Sequence, residues 1–212
     1  FKNLKTRIIA KLDVKPPYVV KPVHFEGLKV IGSPVELAKT YYMQEADELA
    51  YIDIVASLYQ REILFDAIES VANHLYIPFS AGGGVRTIED FSRLIHMGAD
   101  KVILNTFALQ EKPDLIDDAA KIFGSQAVVI NIEAKKYHNK WMCYSDGGKI
   151  QSSLESKEWA KEVEMRGAGE IIIQSVDTDG SQKGFDIELA KTVVSSVNIP
   201  VVVGSGVGVG VG

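Results

Sequence analysis

Short runs of β-branched and other apolar residues alternate along the chain with longer segments whose apolar positions recur every three or four residues. Runs of the first kind predict buried strands, and segments of the second kind predict amphipathic helices. The predicted strands are 7–14, 48–54, 78–82, 101–105, 127–133, 170–176 and 200–204. The predicted helices are about 34–45, 61–74, 88–97, 112–123, 154–166 and 186–197. This alternation predicts one parallel sheet with crossover helices.

Two connections between predicted elements are longer than simple turns. Residues 15–31 follow the first strand, and residues 136–152 follow the fifth. Within the second connection, the run YHNKWMCYSDGGKI is typical of a small hairpin. No low-complexity linker divides the sequence, so we interpret residues 1–212 as a single domain.

The two halves of the sequence resemble each other. Ile-Pro opens strands at residues 77–78 and 199–200, and glycine-rich turns follow at 82–84 and 204–206. An internal repeat of four βα units predicts an α/β fold, a (β/α)8 TIM barrel with a two-fold half-barrel repeat. On this spacing the sequence ends after the seventh strand, so we expect the last βα unit to be missing and the barrel domain to be truncated.

A glycine-rich turn follows the third strand and precedes a helix. Gly82, Gly83 and Gly84 can turn backbone N–H groups toward an anion, and the next strand delivers Asn105 and Thr106 at its carboxyl end. Because ligand pockets of parallel α/β proteins lie at the carboxyl ends of strands, this arrangement favours a phosphate site. The alternative is that the glycines only form a tight strand-to-helix connection.

Two carboxylates occupy equivalent positions in the two halves. Asp13 lies near the end of the first predicted strand and Glu133 ends the fifth, and strands one and five lie opposite each other in an eight-stranded barrel. One carboxylate is suited to act as acid and the other as base at the barrel mouth. The alternative is a structural role, in which each carboxylate pairs with a nearby lysine such as Lys11, Lys15 or Lys135.

A second anion site is predicted in the other half of the barrel. Residues 177–181, with the sequence DTDGS, follow the sixth strand, and Gly204-Ser205-Gly206 follow the seventh. Two phosphate sites, one in each half, predict a long substrate that carries a phosphate at each end.

Charged residues open four of the predicted strands. Arg7, Glu48, Lys101 and Glu170 begin the first, second, fourth and sixth strands. If these side chains face inward, they form a ring of two positive and two negative charges that closes the bottom of the barrel. The alternative is four solvated charges at strand starts, which are common.

The composition narrows the class of function. A net charge of −5 among 212 residues gives no basic surface for nucleic acid, and no apolar run approaches the ~18 residues of a membrane span. The single cysteine, Cys143, excludes an internal disulfide, fits a reducing compartment and is interpreted as buried filler. The four histidines show no metal-ligand spacing. We therefore expect a cytoplasmic protein that binds neither nucleic acid nor membranes and has no metal site.

The ordered motifs of the chain resemble one family over nearly its whole length. From residue 7 to residue 206 they include RIIAKLDVK, VVK, SPVELAK, ADELAYIDI, AGGGVR, GADKVILNT, FGSQAVV, WAKEVEMRGAGEI, DTDGS and FDIEL. This order of motifs resembles the cyclase subunit of imidazole glycerol phosphate synthase, of histidine biosynthesis.

The resemblance implies a (β/α)8 barrel that docks a glutaminase subunit on the face formed by the amino-terminal ends of the strands. Ammonia would pass through the barrel to the mouth and react there with a bisphosphorylated ribulosyl aminoimidazole carboxamide nucleotide. The implied products are imidazole glycerol phosphate and aminoimidazole carboxamide ribotide. No cofactor is implied.

The resemblance also implies roles for individual residues. Asp13 matches one catalytic aspartate, and Glu133 stands at the position of the other. Substrate and phosphate binding is implied for Lys21, Gly84, Asn105, Thr106, Asp179, Gly180, Gly204 and Ser205. The family's charged gate for ammonia is matched by Arg7, Glu48, Lys101 and Glu170.

Several residues near the mouth depart from the family's pattern. Glu133 is one methylene longer than aspartate, Lys11 replaces a small neutral residue, and Asn131 and Gln174 are larger or more polar than usual. Because the gate is kept while the mouth is altered, one alternative is a paralogous subunit that uses ammonia to amidinate a surface-polysaccharide sugar. Two others are a non-catalytic barrel that binds a phosphorylated metabolite and the related single-subunit sugar isomerase, which has no need for the four gate charges.

Overall fold

Seven parallel strands form the frame of the described part of the chain. The computed structural model describes residues 9–15, 18–23, 27–32, 48–53, 78–145, 150–175 and 187–204. The parallel strands are β1 (Ile9–Lys15), β4 (Glu48–Asp53), β5 (Phe79–Gly82), β6 (Lys101–Asn105), β7 (Val128–Tyr137), β10 (Glu170–Ser175) and β11 (Val201–Gly204). Each is hydrogen-bonded to the next in this order, so all seven predicted strands are confirmed.

Helices connect these strands. They are α1 (Ile88–His96), α2 (Thr106–Glu111), α3 (Asp114–Phe123), α4 (Ser156–Arg166) and α5 (Ile187–Val194), with a 3-10 turn at Ser125–Ala127. Four predicted helices are thereby confirmed, and the two predicted at 34–45 and 61–74 lie outside the described residues. None of the described helices is long and apolar enough to cross a membrane.

Two antiparallel hairpins extend the sheet. β2 (Tyr18–Val23) and β3 (Gly27–Gly32) follow β1, while β8 (Lys140–Ser145) and β9 (Ile150–Glu155) follow β7. The second hairpin confirms the prediction for this connection and turns at His138 and Asn139, whose φ angles of 47° and 64° are left-handed. The helix predicted from residue 154 begins two residues later, because Glu155 still pairs with Met142 in the hairpin.

The strands bury one apolar layer on each face of the sheet. The inner face contributes a small cluster formed by Ala50, Ile52, Ile103, Val129 and Ile172. The outer face packs against the helices in a larger cluster that includes Phe91, Leu94, Ile116, Val128, Ile130, Ile132 and Trp159. Since strand residues alternate between faces, sequentially ordered parallel strands with an inner core and an outer shell of helices are an α/β barrel of the TIM type.

Candidate active site

The inner face of the sheet becomes polar toward the carboxyl ends of its strands. On β7, Val129 belongs to the inner apolar cluster, and Asn131 and Glu133 follow at two-residue steps on the same face. Asn131 pairs in register with Asn105 of β6, and Glu133 pairs with Gln174 of β10. These four residues therefore form one polar layer above the apolar one.

Glu133 lies where the barrel meets the hairpin. Its backbone pairs with Gln174 of β10 on one side and with Tyr144 of β8 on the other. The residue is half-buried, whereas Gln174 is 4% exposed. β7 continues to Tyr137 in the hairpin, so Glu133 lies within the strand and does not end it as predicted. A partly exposed carboxylate where the strand leaves the barrel can meet a substrate that approaches from the mouth.

Asp13 is described through its backbone. It lies in β1 in register with Ile52 of β4, a member of the inner apolar cluster. Three strands separate β1 from β7, which is the spacing expected if Asp13 and Glu133 lie on opposite sides of a barrel. Lys11 and Lys21 are likewise described through their backbones, which pair with Ala50 and Lys29. The side chains of Lys11 and Asp13 are not described, so the alternative in which Asp13 pairs with Lys11 lies outside what the structure describes.

The predicted glycine turn has a structural need for each of its glycines. A Cβ atom on Gly82 would lie 2.5 Å from the carbonyl oxygen of Ile103, because β5 and β6 approach closely there. Gly83 and Gly84 have φ angles of 102° and 66°, which favour glycine. The tight-connection interpretation therefore accounts for the glycines by itself, and the phosphate interpretation stays a prediction.

The start of α1, next to this turn, is already capped. The Thr87 hydroxyl accepts a hydrogen bond from the Asp90 N–H over 3.1 Å, and the Asp90 carboxylate accepts one from the Arg86 N–H over 3.1 Å. This arrangement satisfies two backbone donors and places a carboxylate at the positive end of the helix. An anion at the turn would thus have to use the glycine backbone rather than these N–H groups.

A hydrogen-bonded triad links the ends of β6 and β7. The Thr106 hydroxyl, which is buried, donates to the Asn131 carbonyl oxygen over 3.0 Å. The Asn131 amide Nδ2 donates to Asn105 Oδ1 over 3.3 Å. Asn131 Oδ1 is buried and accepts no hydrogen bond from the described parts of the chain. The sequence names these three residues but does not show their connection, because periodicity gives the face of each residue and not the register of β6 against β7.

A cluster of charges lies at the opposite, amino-terminal end of the strands. Lys101 Nζ lies 3.0 Å from Glu170 Oε2 and 3.5 Å from Glu48 Oε1. Glu48 and Glu170 are 6% and 5% exposed. Since β5 and β7 separate β6 from the other two strands, Lys101 reaches both carboxylates across the inner face. Three members of the predicted ring are therefore side by side, and Arg7 lies outside the described residues.

The second predicted phosphate site is described at one position only. Gly204 ends β11, and a Cβ atom there would lie 3.9 Å from the amide oxygen of Gln174. Asp179, Gly180 and Ser205 lie outside the described residues. Within the described ranges, no three His, Cys, Asp or Glu side chains are grouped so that they could hold a metal ion.

Cys143 lies apart from the strand ends, in the outer core. It is fully buried on β8, and burial raises the pKa of its thiol to about 12. A thiol with so high a pKa stays protonated and is a poor nucleophile. Its position confirms the interpretation of Cys143 as filler of the core.

Comparison with known proteins identifies the family. The model of the histidine biosynthesis protein family matches residues 7–210. The chain is 47% identical over 203 residues to the imidazole glycerol phosphate synthase subunit HisF of Legionella pneumophila, covering 95% of each chain. It is 50% identical over 202 residues to the HisF subunit of Campylobacter concisus, covering 95% of this chain and 80% of that one.

An archaeal relative gives a similar result. Identity to the HisF subunit of Pyrococcus furiosus is 46% over 205 residues, covering 97% of this chain and 81% of that one. Both the family model and these relatives span the strands that carry the charge cluster and the polar layer. The chain belongs to the histidine biosynthesis protein family and, within it, to the HisF-type cyclase subunits of imidazole glycerol phosphate synthase.

Proposed function

We propose that this subunit takes ammonia at the amino-terminal end of its barrel and uses it at the carboxyl-terminal end to close an imidazole ring. The observation that carries the proposal is the order of polarity along the inner face. The Glu48–Lys101–Glu170 cluster is followed by the apolar layer that contains Ile103 and Val129. The polar layer of Asn105, Asn131, Glu133 and Gln174 comes last.

The proposed substrate is the bisphosphorylated ribulosyl aminoimidazole carboxamide nucleotide. Ammonia adds to its ribulosyl carbonyl, whose oxygen leaves as water, the nucleotide is cleaved, and imidazole glycerol phosphate and aminoimidazole carboxamide ribotide are formed. Asp13 and Glu133 are the proposed acid and base, on two strands that three others separate. Gly84, Asn105 and Thr106 are proposed to hold one phosphate, and Asp179, Gly180, Gly204 and Ser205 the other.

The proposed partner is a glutaminase subunit on the amino-terminal face of the barrel. Three exposed apolar side chains support this choice of face. Ile122, Met165 and Val194 are 61%, 83% and 52% exposed, and each lies near the carboxyl end of a helix that leads into the start of a strand. Exposed apolar side chains around a charged centre are typical of a protein interface. The same face carries the charge cluster through which ammonia would enter.

Exchange of one apolar residue tests the docking face. Met165→Asp is expected to lower turnover with glutamine and the glutaminase subunit at least tenfold, while turnover with ammonium salt stays unchanged. Ile187→Asp is the matched control, because Ile187 is 65% exposed but begins α5 at the other end of a helix. Equal loss in both variants, or none in Met165→Asp, would speak against this face.

A paralogous activity on a surface-polysaccharide sugar is the second candidate. The observation that favours it is the buried polar pair Asn131 and Gln174, which are 6% and 4% exposed at the mouth. Buried amides select a ligand with matching hydrogen-bonding groups. An acceptor that differs from the histidine-pathway nucleotide would explain why the mouth departs from the family's pattern while the charge cluster is kept.

Turnover of the histidine-pathway bisphosphate with ammonium salt as nitrogen donor tests the main proposal without a partner subunit. Steady loss of substrate absorbance that Asp13→Asn abolishes, with substrate affinity retained, would establish the cyclase and exclude a mere binder. A folded protein that binds the bisphosphate without turnover would favour the paralogous activity. Unchanged turnover in Asp13→Asn would refute the proposed role of Asp13.

A further inference from the structure

We propose that Asn131 Oδ1 is the acceptor that holds neutral ammonia at the point where it leaves the apolar interior of the barrel. The inference rests on the proposed function for its purpose and assigns one residue of this chain a specific part in it. Asn131 is buried on the inner face of β7, directly above the apolar layer. Its Oδ1 atom accepts no hydrogen bond from the described residues.

The other polar groups of Asn131 for which the structure describes a side-chain contact each have a partner. Its Nδ2 donates to Asn105, and its carbonyl oxygen accepts from Thr106. A buried oxygen without a donor destabilises the folded state, so it is expected where a ligand supplies the donor. Asn105 holds the side-chain amide and Thr106 holds the backbone of Asn131, which leaves Oδ1 for that ligand.

Its position along β7 limits the size and charge of the ligand. The residue two positions below, Val129, belongs to the apolar cluster with Ile103 and Ile172. A molecule that reaches Asn131 from below must cross this layer, where a charged group would lose its hydration. Neutral ammonia is small enough and uncharged, whereas ammonium would be retained by the carboxylates of the Glu48–Lys101–Glu170 cluster.

An amide oxygen suits ammonia better than a donor or a carboxylate would. Ammonia has three N–H donors and one lone pair, and the lone pair must stay free to attack a carbonyl. A hydrogen-bond donor would occupy the lone pair, and a carboxylate would favour the protonated form, which has none. A neutral acceptor engages an N–H group and leaves the lone pair directed away from it, toward the mouth where Glu133 lies.

Direct binding can be measured without turnover. The side-chain carboxamide resonances of Asn131, assigned by their loss in Asn131→Leu, are followed while the full chain is titrated with ammonium chloride. At alkaline pH, where ammonia is neutral, these resonances are expected to shift and saturate. The same ammonium concentration at neutral pH should shift them far less. Absence of a saturable shift at alkaline pH would overturn the assignment, whichever acceptor substrate the enzyme uses.

Steady-state kinetics then distinguishes ammonia binding by Asn131 from a role in which Asn131 only positions Asn105. Asn131→Leu should raise KM for ammonia about five- to tenfold, the loss expected for one hydrogen bond, with a smaller effect on KM for the bisphosphate. Asn105→Ala removes the partner of Nδ2 but keeps Oδ1, so it should raise KM for the bisphosphate and leave KM for ammonia unchanged. Equal changes in both constants for both variants would reduce Asn131 to a positioning residue and overturn the inference.

The outcomes distinguish the two proposals. A saturable shift without turnover of the histidine-pathway substrate would keep Asn131 as the ammonia acceptor and refute that substrate. Turnover without a shift, and with an unchanged KM for ammonia in Asn131→Leu, would keep the cyclase and refute the role of Asn131.

Discussion

Lys101 donates a hydrogen bond to Glu170 over 3.0 Å although β7 separates the strands that carry them. The two residues open β6 and β10, so the contact joins the amino-terminal ends of strands that are not neighbours. Glu48, on the opposite side of Lys101, lies 3.5 Å from the same ammonium group. One cation thus holds two buried carboxylates together across the bottom of the barrel.

Removal of that cation should destabilise the fold. Lys101→Met leaves Glu48 and Glu170 buried without the positive charge between them, and we expect a loss of about 3 kcal/mol in the free energy of unfolding. Lys101→Arg, the charge-preserving control, should lose about 1 kcal/mol or less. Urea denaturation of the three proteins measures the difference. A Lys101→Met variant as stable as the native protein would mean that these ion pairs make no net contribution to stability.

Replacement of the carboxylate of Glu133 should lower the rate of the chemical step. Glu133→Gln is expected to reduce kcat by about 10²- to 10⁴-fold with little change in KM, because a group that transfers a proton acts mainly in the transition state. Glu188→Gln is the matched control, since Glu188 is exposed on α5 and pairs with Lys136 at the surface. Glu133→Asp should raise turnover of the histidine-pathway substrate; a fall would indicate that glutamate is suited to another substrate.

The thiol of Cys143 should resist alkylation in the folded protein. Burial raises its pKa to about 12, so at pH 8.5 the native thiol is protonated and shielded, whereas in the unfolded chain it ionises near its ordinary value of 9.0. This raised pKa favours the folded state below about pH 9, and the contribution falls as pH rises from 9.0 toward 12. Mass spectrometry after iodoacetamide treatment should find labelling only in denaturant. Fast labelling of the folded protein would contradict this environment.

Gly82 should tolerate no larger residue. Gly82→Ala would place a Cβ atom 2.5 Å from the Ile103 carbonyl oxygen, and relief of this clash requires β5 and β6 to separate, which should cost about 1–3 kcal/mol. Gly204→Ala is the control, because the nearest atom to a Cβ there is 3.6 Å away. Thermal unfolding of both variants compares the two sites. Equal melting temperatures would show that the strands can move apart at little cost.

The sequence predicts the strands well because each is a short β-branched run with a turn at its end. It predicts helix boundaries less well, because the spacing of apolar residues that is typical of a helix can continue beyond the point where the helical backbone begins or ends. The helix expected from residue 112 begins at Asp114, and the six-residue α2 just before it was not predicted. The six residues of α2 are too few for a helical period of apolar positions to stand out in the sequence, and Asn105 at its start makes no side-chain capping hydrogen bond.

Within the candidate site, alternation along β7 correctly separates Asn131 and Glu133 from their outward-facing neighbours. The hydrogen bond from Asn131 to Asn105 could not be predicted, because it depends on the register of β6 against β7 and on two side-chain rotamers. The ion pairs of Lys101 could not be predicted for the same reason, because their partners lie on strands that are two positions away from β6 in the sheet. Periodicity indicates the face of a residue, whereas register decides its partner.

Arg166 should stabilise the contact between α3 and α4 modestly. Its guanidinium lies 2.7 Å from Asp117 and 3.2 Å from Glu162, and the hydrogen bond that it donates to Asp117 is the main cause of its raised pKa. Because this pKa is raised, the contribution is lost only at very high pH, so it should be constant from pH 5 to pH 9. Arg166→Ala should cost about 0.5–1 kcal/mol, less in 1 M salt, as exposed ion pairs do. Lys161→Ala, which removes a single surface pair with Glu158, should cost less in urea denaturation. A salt-independent loss for Arg166→Ala would indicate packing by the side chain rather than charge.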